Sequence, residues 1–199
     1  MYLIDKFKRT IELRTPVSDE LWGRLKASAS EICVKKNRVL IPYSSSLQKA
    51  YFLAKGSFEC SLITTDGDRQ TVWFFLDEVF DVVVCMDSYF LGEPTKYEVT
   101  ALEDSIVYKF EKKVVDAIVL EYPEFNKFYR EDIIDDYIKL NEIRNHMVAK
   151  SPEAFLRYLK DNYPAILNRA PSKNLAHFMG ITPEWYSKLK KKLSSVPIT

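Results

Sequence analysis

Residues 172–193 read SKNLAHFMGITPEWYSKLKKKL, a stretch in which two short amphipathic helices flank a tight turn. Gly180 is expected to end the first helix, because glycine takes the positive φ that a helix terminus often needs. Thr182 is a predicted N-cap for the second helix, and Pro183 follows at the first helical position, where proline is favoured. Ala176 is small enough to let the two helices approach closely. This pattern is typical of a helix-turn-helix.

The second of these helices has one apolar face and one charged face. At 100° per residue, Tyr186, Leu189 and Leu193 share a face that is expected to pack on the first helix. The opposite face carries lysines, which can bond O6 and N7 of guanine, and a glutamate, which can accept from N4 of cytosine. We therefore predict that this helix contacts double-stranded DNA. The residues predicted to contact DNA are Ser172, Lys173, Thr182, Glu184, Trp185, Ser187, Lys188, Lys190, Lys191 and Lys192.

Two roles are expected within this set. Glu184 and Lys188 are predicted to read base edges, whereas Lys173, Lys190 and Lys192 are predicted to neutralise phosphates. Two alternatives remain open: an ordinary helical hairpin with a solvated lysine face, and a helical end that binds protein instead of DNA. Binding to DNA should weaken steeply as salt rises, whereas binding to protein has no such requirement.

The distribution of charge also favours an anionic partner. Residues 150–199 contain nine basic and three acidic residues, a net charge of +6, while the net charge of the whole chain is only +1. The rest of the chain therefore carries a net charge of −5. A basic segment attached to an acidic body is typical of a protein that binds nucleic acid.

The middle of the chain has the pattern of an antiparallel β-barrel or jelly roll. Short runs rich in Val, Ile, Phe, Tyr and Thr alternate with polar or glycine-containing turns, which is the pattern of closely spaced strands. A short helix is expected before them at residues 18–30, with Ser18 as its N-cap. The predicted strands are 32–34, 39–41, 50–53, 57–63, 70–75, 97–102 and 106–110.

Helical periodicity follows the strands. Helices are predicted at 112–121, 124–149 and 151–162, and the second of them is long enough to project beyond a small barrel. Its apolar stripe advances in alternating steps of four and three residues, as in a seam between paired helices. The residues predicted to form a homodimer seam are Ile133, Tyr137, Leu140, Arg144 and Met147. The alternative is that the same stripe packs on the barrel of its own chain.

Several classes of function are disfavoured by composition. The apolar runs are too short to span a membrane and the first six residues already include charges, so a cytoplasmic protein without a membrane partner is expected. The three cysteines are far apart and the two histidines lack neighbours at ligand spacing, so neither a metal nor a cofactor is expected. A cupin-type enzyme would need a histidine cluster in the barrel. Both histidines lie outside the predicted strands, so the chain is not expected to be an enzyme.

Four motifs of the chain are similar to those of one family: Tyr51-Phe52-Leu53-x-x-Gly56, Gly67 in a hairpin, Ala101-Leu102-Glu103-Asp104-Ser105 before a closing strand, and Gly180-Ile181-Thr182-Pro183-Glu184 followed by Ser187 and Lys188. In these motifs the chain resembles the Crp-Fnr (catabolite activator) transcription regulators, over nearly its whole length. The resemblance implies an α+β protein with three parts: a cyclic-nucleotide-binding-like barrel or jelly roll as sensor (1–122), a dimerisation helix (123–150) and a helix-turn-helix DNA-binding domain (151–199).

Departures from the family pattern fall in the barrel pocket. Members that bind cyclic nucleotides have a Gly-Glu pair for the ribose and an arginine that clamps the phosphate, where this chain has Asp81-Val82 and Thr95-Lys96-Tyr97. A cyclic phosphate would lose its bidentate partner, so neither cyclic AMP nor cyclic GMP is expected to bind. The small-molecule effector is therefore unknown or absent. The candidate effector pocket consists of Phe80, Asp81, Val82, Thr95, Lys96 and Tyr97.

Two departures concern the DNA-binding end. Pro183 stands where many members have a base-reading arginine, so a different operator sequence is expected. Only residues 194–199 follow the second helix, which is too short a segment for the usual β-hairpin wing. Little or no wing, and weaker DNA binding, are therefore expected.

Overall fold

The computed structural model describes residues 3–194. Two facing four-stranded antiparallel sheets, with the strand orders β1-β8-β3-β6 and β2-β7-β4-β5, form the jelly-roll-like barrel of the amino-terminal part. The strands are β1 (Ser30–Val34), β2 (Val39–Ile41), β3 (Lys49–Lys55), β4 (Ser57–Ile63), β5 (Arg69–Leu76), β6 (Val82–Val83), β7 (Tyr97–Ala101) and β8 (Ser105–Glu111).

The barrel interior is filled by side chains from both sheets. Leu53, Phe58, Val99 and Val107 are fully buried there. In β7 the inward residues alternate with partly exposed ones, as the period of two in a strand requires. The sheets therefore enclose a packed core.

Gly56 joins β3 to β4 at a point where only glycine fits. Its φ is +114°, and a Cβ placed on it would lie 2.1 Å from Oγ and 2.8 Å from Cα of Ser105. Both the backbone conformation and the close approach of β8 exclude a larger residue. This requirement explains the glycine of the Tyr51-Phe52-Leu53-x-x-Gly56 motif.

Three helices, together with the first turns of the long helix that carries Phe128, cover the outer face of the first sheet. Phe52 of β3 and Phe110 of β8 point outward into a second core, which contains Phe7 and Phe128. The rings of Phe7 and Phe52 lie 4.7 Å apart between centroids. Because β3 is covered on both faces, its sequence is an apolar run without alternation. The covering helices are α1 (Asp5–Glu12), α2 (Asp19–Ser28) and α3 (Lys112–Glu121).

The carboxyl-terminal helices pack on the second sheet. Phe178 of α7 lies 5.4 Å from Phe74 of β5 between ring centroids. Phe155 and Tyr186 belong to the same buried cluster as the barrel interior. The barrel and the helical end therefore share one continuous core. The helices are α4 (Pro123–Ala149), α5 (Pro152–Asn162), α6 (Pro164–Arg169), α7 (Ser172–Phe178) and α8 (Pro183–Ser194).

The turn between α7 and α8 has the predicted geometry. Gly180 has a φ of +65°. The amide of Ile181 donates to the carbonyl oxygen of Ala176 at 3.0 Å. The hydroxyl of Thr182 accepts from the amide of Trp185 at 3.2 Å, which caps α8. These contacts set the angle between the two helices.

The predicted α+β architecture is confirmed, and most predicted elements lie within two residues of the observed ones. Four elements were not predicted: α1, β6, α6 and a π-helical turn at Asp87–Leu91. Each has eight residues or fewer, which is too few for a repeat to be distinguished in the sequence. Residues 195–199, on which the expectation about the wing rests, lie outside the described residues.

Candidate DNA-binding surface and effector cavity

The α8 helix presents its predicted charged face to solvent. Glu184, Lys188 and Lys191 are exposed, whereas Tyr186 is only 1% exposed and Leu189 is also buried. Burial of the tyrosine and leucine against α7 fixes the rotation of α8 about its own axis. The side chains predicted to face DNA are therefore accessible to a macromolecular partner.

Other residues of the predicted DNA-binding set also lie at the surface, but some already have partners. The ammonium of Lys192 pairs with Glu153 at 2.7 Å. The hydroxyl of Ser187 donates to the carbonyl oxygen of Pro183 at 2.9 Å. Trp185 is 47% exposed, so its ring is available for stacking. The other exposed members of the set are Ser172, Lys173, Lys190 and Thr182, the last of which caps α8.

Ion pairs and hydrogen bonds hold the helical end on the barrel. The guanidinium of Arg169, at the end of α6, donates to Asp77 and to Glu103, each at 2.5 Å. The side-chain amide of Asn174 in α7 donates to Glu59 of β4. Sequence reasoning missed these contacts, because the two residues of each pair are between 66 and 115 residues apart in the chain.

A cavity of about 330 Å³ lies between the second sheet, the segment after β5 and α4. Phe80 stands at its wall with a φ of +58°, a conformation that non-glycine residues rarely adopt. Such strain often marks a functional site. The cavity is lined by Cys60, Val72, Trp73, Phe75, Phe80, Val82, Val84, Cys85, Met86, Tyr97, Asp132, Ile133, Asp136 and Leu140.

Three of the six residues predicted for the effector pocket line this cavity, namely Phe80, Val82 and Tyr97. The carboxylate of Asp81 instead accepts from Thr10 of α1 at 3.4 Å. Thr95 and Lys96, the other two, do not line the cavity: Thr95 is 1% exposed, and Lys96 is exposed to solvent.

Sequence reasoning missed the contribution of β5 and α4 to this cavity. Trp73 and Phe75 come from β5, and Asp132 and Asp136 come from α4. The two aspartates are one helical turn apart, so the spacing could have shown that they share a face. It could not show that this face turns toward the barrel.

Burial raises the pKa of the carboxyl groups at this wall. The pKa of Asp136 is raised to about 6, first by burial and then by the charges of Asp132 and Asp81. The pKa of Asp132 is also raised by burial, which outweighs the effect of Arg14. The guanidinium of Arg14 lies 2.7 Å from Asp135 and 3.4 Å from Asp132, so it is shared between two carboxylates.

The predicted dimer seam on α4 is divided between solvent and the protein's own body. Tyr137 is 67% exposed, and Leu140 and Arg144 are also exposed. Ile133 and Leu140 line the cavity described above, and Leu140, Arg144 and Met147 line a second one of about 230 Å³ between α4, β5 and α7. Ile133 and Met147 are half-buried.

The most exposed apolar side chains of α4 lie slightly around the helix from this seam. They are Ile134, Tyr137, Ile138 and Val148, each at least 48% exposed. Apolar exposure of this size on one helix face is typical of an unpaired interface.

No group of three or more His, Cys, Asp or Glu side chains within residues 3–194 is arranged to hold a metal ion. Within the same part of the chain, no helix is both long and apolar enough to cross a membrane.

Comparisons with known proteins agree with this architecture. Residues 31–122 match the model of the cyclic nucleotide-binding domain. No curated protein matches the chain in sequence. Among solved structures, FixK2 from Bradyrhizobium japonicum has a TM-score of 0.67 at 14% identity, with 84% of this chain and 85% of that chain covered.

Two further structures are similar. CLP from Xanthomonas campestris, described as a c-di-GMP-responsive global regulator that links cell-cell signalling to virulence gene expression, has a TM-score of 0.67 at 11% identity, covering 89% of this chain and 92% of that chain. A CooA mutant from Carboxydothermus hydrogenoformans has a TM-score of 0.62 at 17% identity, covering 85% and 78%. At these identities the likeness is one of fold.

Proposed function

Starting from the Crp-Fnr-type fold that the chain has, we propose that it is a dimeric DNA-binding transcription regulator. The observation that carries the proposal is the exposed charged face of α8, held outward by buried Tyr186 and Leu189. We assign the sensor to residues 1–122, the dimer helix to 123–150 and the DNA-binding part to 151–199, and we place the protein in the cytoplasm.

The proposed docking places α8 in the major groove. Glu184 and Lys188 would meet base edges, and Lys173 and Lys190 would meet phosphates on either side. Lys192 would reach a phosphate only by leaving or sharing Glu153. In a symmetric dimer the two α8 helices would need the spacing of successive major grooves, about 34 Å.

The dimer would form along α4. This helix has 27 residues and is about 40 Å long at 1.5 Å per residue, and it carries Ile134, Tyr137 and Ile138 exposed on one face. Pairing of two such faces would remove apolar surface from water and set the distance between the DNA-binding ends. An effector in the cavity would act on the same helix, because Asp132 and Asp136 belong to α4.

Cyclic nucleotides do not suit the cavity. No lysine or arginine is among its described lining residues, and Asp132 and Asp136 would repel a phosphate. We therefore expect isothermal titration calorimetry to detect no binding of cyclic AMP or cyclic GMP at micromolar concentration. Binding of either at that level would contradict this assignment of the cavity.

Selection of bound duplexes from a random pool tests the proposed function. The expected result is a pair of inverted half-sites about one helical turn apart, with affinity that falls steeply as salt rises. The test variant carries both Lys188→Ala and Glu184→Ala. It should bind the selected duplex far more weakly than the parent chain. Absence of any enriched sequence, or binding that is insensitive to salt, would contradict DNA recognition and favour a protein partner for the helical end.

A further inference from the structure

We propose that the cavity between β5 and α4 binds a small organic cation with an apolar body, such as an alkyl or aryl ammonium compound. The inference rests on the proposed effector role of this cavity and adds the chemical class of its ligand. It is carried by the combination of aromatic walls, two carboxylates on one wall, and the lack of lysine or arginine among the described lining residues.

The walls are suited to a cation. Trp73, Phe75, Phe80 and Tyr97 all line the cavity, and the faces of aromatic rings attract ammonium groups. The ring centroids of Trp73 and Phe80 lie 4.5 Å apart in an edge-to-face arrangement. Aromatic surfaces from β5, β7 and the segment after β5 therefore surround the same space.

The protein itself places an ammonium group on one of these rings. Nζ of Lys139 lies 5.7 Å from the ring centroid of Phe80 and 3.6 Å from Oδ1 of Asp136. Lys139 is not among the cavity-lining residues, so it occupies the rim. A ligand ammonium inside the cavity would repeat this pairing of an aromatic face with a carboxylate.

The carboxylates have too little positive charge around them. Asp132 shares Arg14 with Asp135, and Asp136 has Lys139 at a distance of 3.6 Å. Burial raises the pKa of both cavity aspartates and outweighs the opposing effects of Arg14 on Asp132 and of Lys139 on both. A bound cation would supply the missing charge, whereas an anion would add a third negative charge to the same wall.

The thiols in the cavity do not supply a positive charge. Cys60 and Cys85 both line it, and their hydrogen bond together with burial raises the pKa of Cys60. The same hydrogen bond lowers the pKa of Cys85. Cys60 is therefore an uncharged thiol at neutral pH, and ionisation of Cys85 would only add to the negative charge of the aspartates.

The volume limits the size of the ligand. A cavity of about 330 Å³ is at the lower end of the range for small-molecule pockets, which is about 300–1,000 Å³. A single aromatic ring with a short alkylammonium chain is of suitable size, whereas a dinucleotide is too large.

A series of three probes of similar shape tests the inference on the full chain. The probes are 4-phenylbutylamine, the neutral 4-phenylbutanol and the anionic 4-phenylbutyrate, titrated by calorimetry at pH 7.5. We expect the amine to bind at least tenfold more tightly than the alcohol, and the carboxylate to show no binding at 1 mM. Equal affinity for amine and alcohol, tighter binding of the carboxylate, or no binding of the amine at 1 mM would each overturn the inference.

Variants locate the site. Asp136→Asn should weaken binding of the amine at least tenfold and leave binding of the alcohol within twofold, because it removes charge without changing shape. Glu142→Gln, which removes a carboxylate from the exposed side of the same helix, should leave both affinities within twofold. Equal losses from the two variants would place the amine elsewhere.

The DNA-binding assay keeps this inference separate from the proposed function. A chain that binds its selected duplex but not the amine contradicts only the ligand class. A chain that binds the amine but enriches no duplex contradicts the proposed function and leaves a cation-binding barrel.

Discussion

Single side chains on α7 and α8 are expected to divide recognition between phosphates and bases. Lys188 lies on the exposed face opposite buried Tyr186, whereas Lys173 lies at the start of α7. Lys188→Ala should cost about 1–3 kcal/mol on the preferred sequence and relax preference at one base pair. Lys173→Ala should weaken binding to all sequences alike and lower the salt slope by about one.

Mobility-shift titrations on the preferred and a scrambled duplex, at several salt concentrations, measure both effects. Identical behaviour of the two variants would contradict the assigned orientation of α8.

Asp81 gives the protein a pH-dependent stability. Burial first, and then the charge of Asp132, raise the pKa of Asp81 to about 6, although Lys6 and Thr10 oppose the shift. The pKa of the nearby Asp136 is also raised to about 6. A raised pKa means that the folded state binds the proton more tightly than the unfolded state. The contribution of this proton to the free energy of unfolding is therefore present at low pH and is lost as pH rises through about 6.

Asp81→Asn should therefore stabilise the fold at pH 7 by about 1–3 kcal/mol, since one pKa unit corresponds to about 1.4 kcal/mol. The advantage should disappear near pH 4, where the aspartate of the parent chain is protonated in the folded state. Urea unfolding at pH 4, 5.5 and 7 measures the difference. A variant that is less stable than the parent chain at pH 7 would mean that the attraction of Asp81 to the charge of Lys6, with its hydrogen bond from Thr10, outweighs burial.

At the scale of elements, the sequence predicted those that have a long or strongly capped pattern. Ser18 and Ser151 accept from the amides of Leu21 and Ala154, as N-caps should, and the helices after them lie where predicted. The α1 helix was missed although Phe7 and Ile11, four residues apart, give it a clear apolar face. It has only eight residues and no side-chain N-cap, so neither its length nor a start signal distinguishes it in the sequence.

The candidate sites differ in how far sequence could define them. The face of α8 follows from helical geometry, because charged and apolar residues alternate within twelve residues of one element. The cavity needs Trp73 from β5, Tyr97 from β7 and Asp136 from α4 at once. No local pattern encodes the distance between these elements, so only Phe80, Val82 and Tyr97 of the lining were predicted.

The exposed face of α4 is expected to carry the dimer contact. Ile138 is 50% exposed in the middle of this helix, beside Tyr137. Ile138→Asp would place a charge between two apolar faces, so it should convert a dimer into a monomer. Leu120→Asp is the matched control, because Leu120 is an exposed apolar residue of α3, away from this face.

Size-exclusion chromatography with light scattering at micromolar concentration measures this change. The parent chain and Leu120→Asp should both have the mass of a dimer, and Ile138→Asp the mass of a monomer. A parent chain that is monomeric, or an Ile138→Asp variant that stays dimeric, would contradict pairing through this face of α4.

For the whole molecule, the continuous core makes the barrel and the helical end one cooperative unit. Phe178 of α7 packs on Phe74 of β5, and both belong to the cluster that fills the barrel. Changes at the cavity wall and at α8 can therefore be coupled through packed side chains. An effector would alter DNA binding only if it bound two arrangements of these parts with different affinity.

Arg169 is the side chain on which this coupling is expected to depend most. It bridges the helical end to Asp77 and Glu103 of the barrel with two contacts of 2.5 Å, and its side chain is 21% exposed. Arg169→Gln would remove the ion pair of Glu103 and leave Asp77 with only the more distant Lys6, at 3.9 Å, so the free energy of unfolding should fall by about 1–3 kcal/mol. Lys35→Gln, which removes the exposed ion pair with Asp104, should leave the unfolding midpoint nearly unchanged.

Urea unfolding followed by two signals tests both the stability and the cooperativity. Far-UV circular dichroism reports on the helices and strands together. Tryptophan fluorescence reports on Trp22 of α2, Trp73 in the barrel wall and Trp185 on α8. In the parent chain the two transitions should coincide, because the shared core cannot open on one side alone.

In Arg169→Gln they should shift together to lower urea if the apolar contact of Phe178 with Phe74 still joins the two parts. Separate transitions in the parent chain would contradict a single unit, and equal shifts in Arg169→Gln and Lys35→Gln would contradict the special role of the bridge.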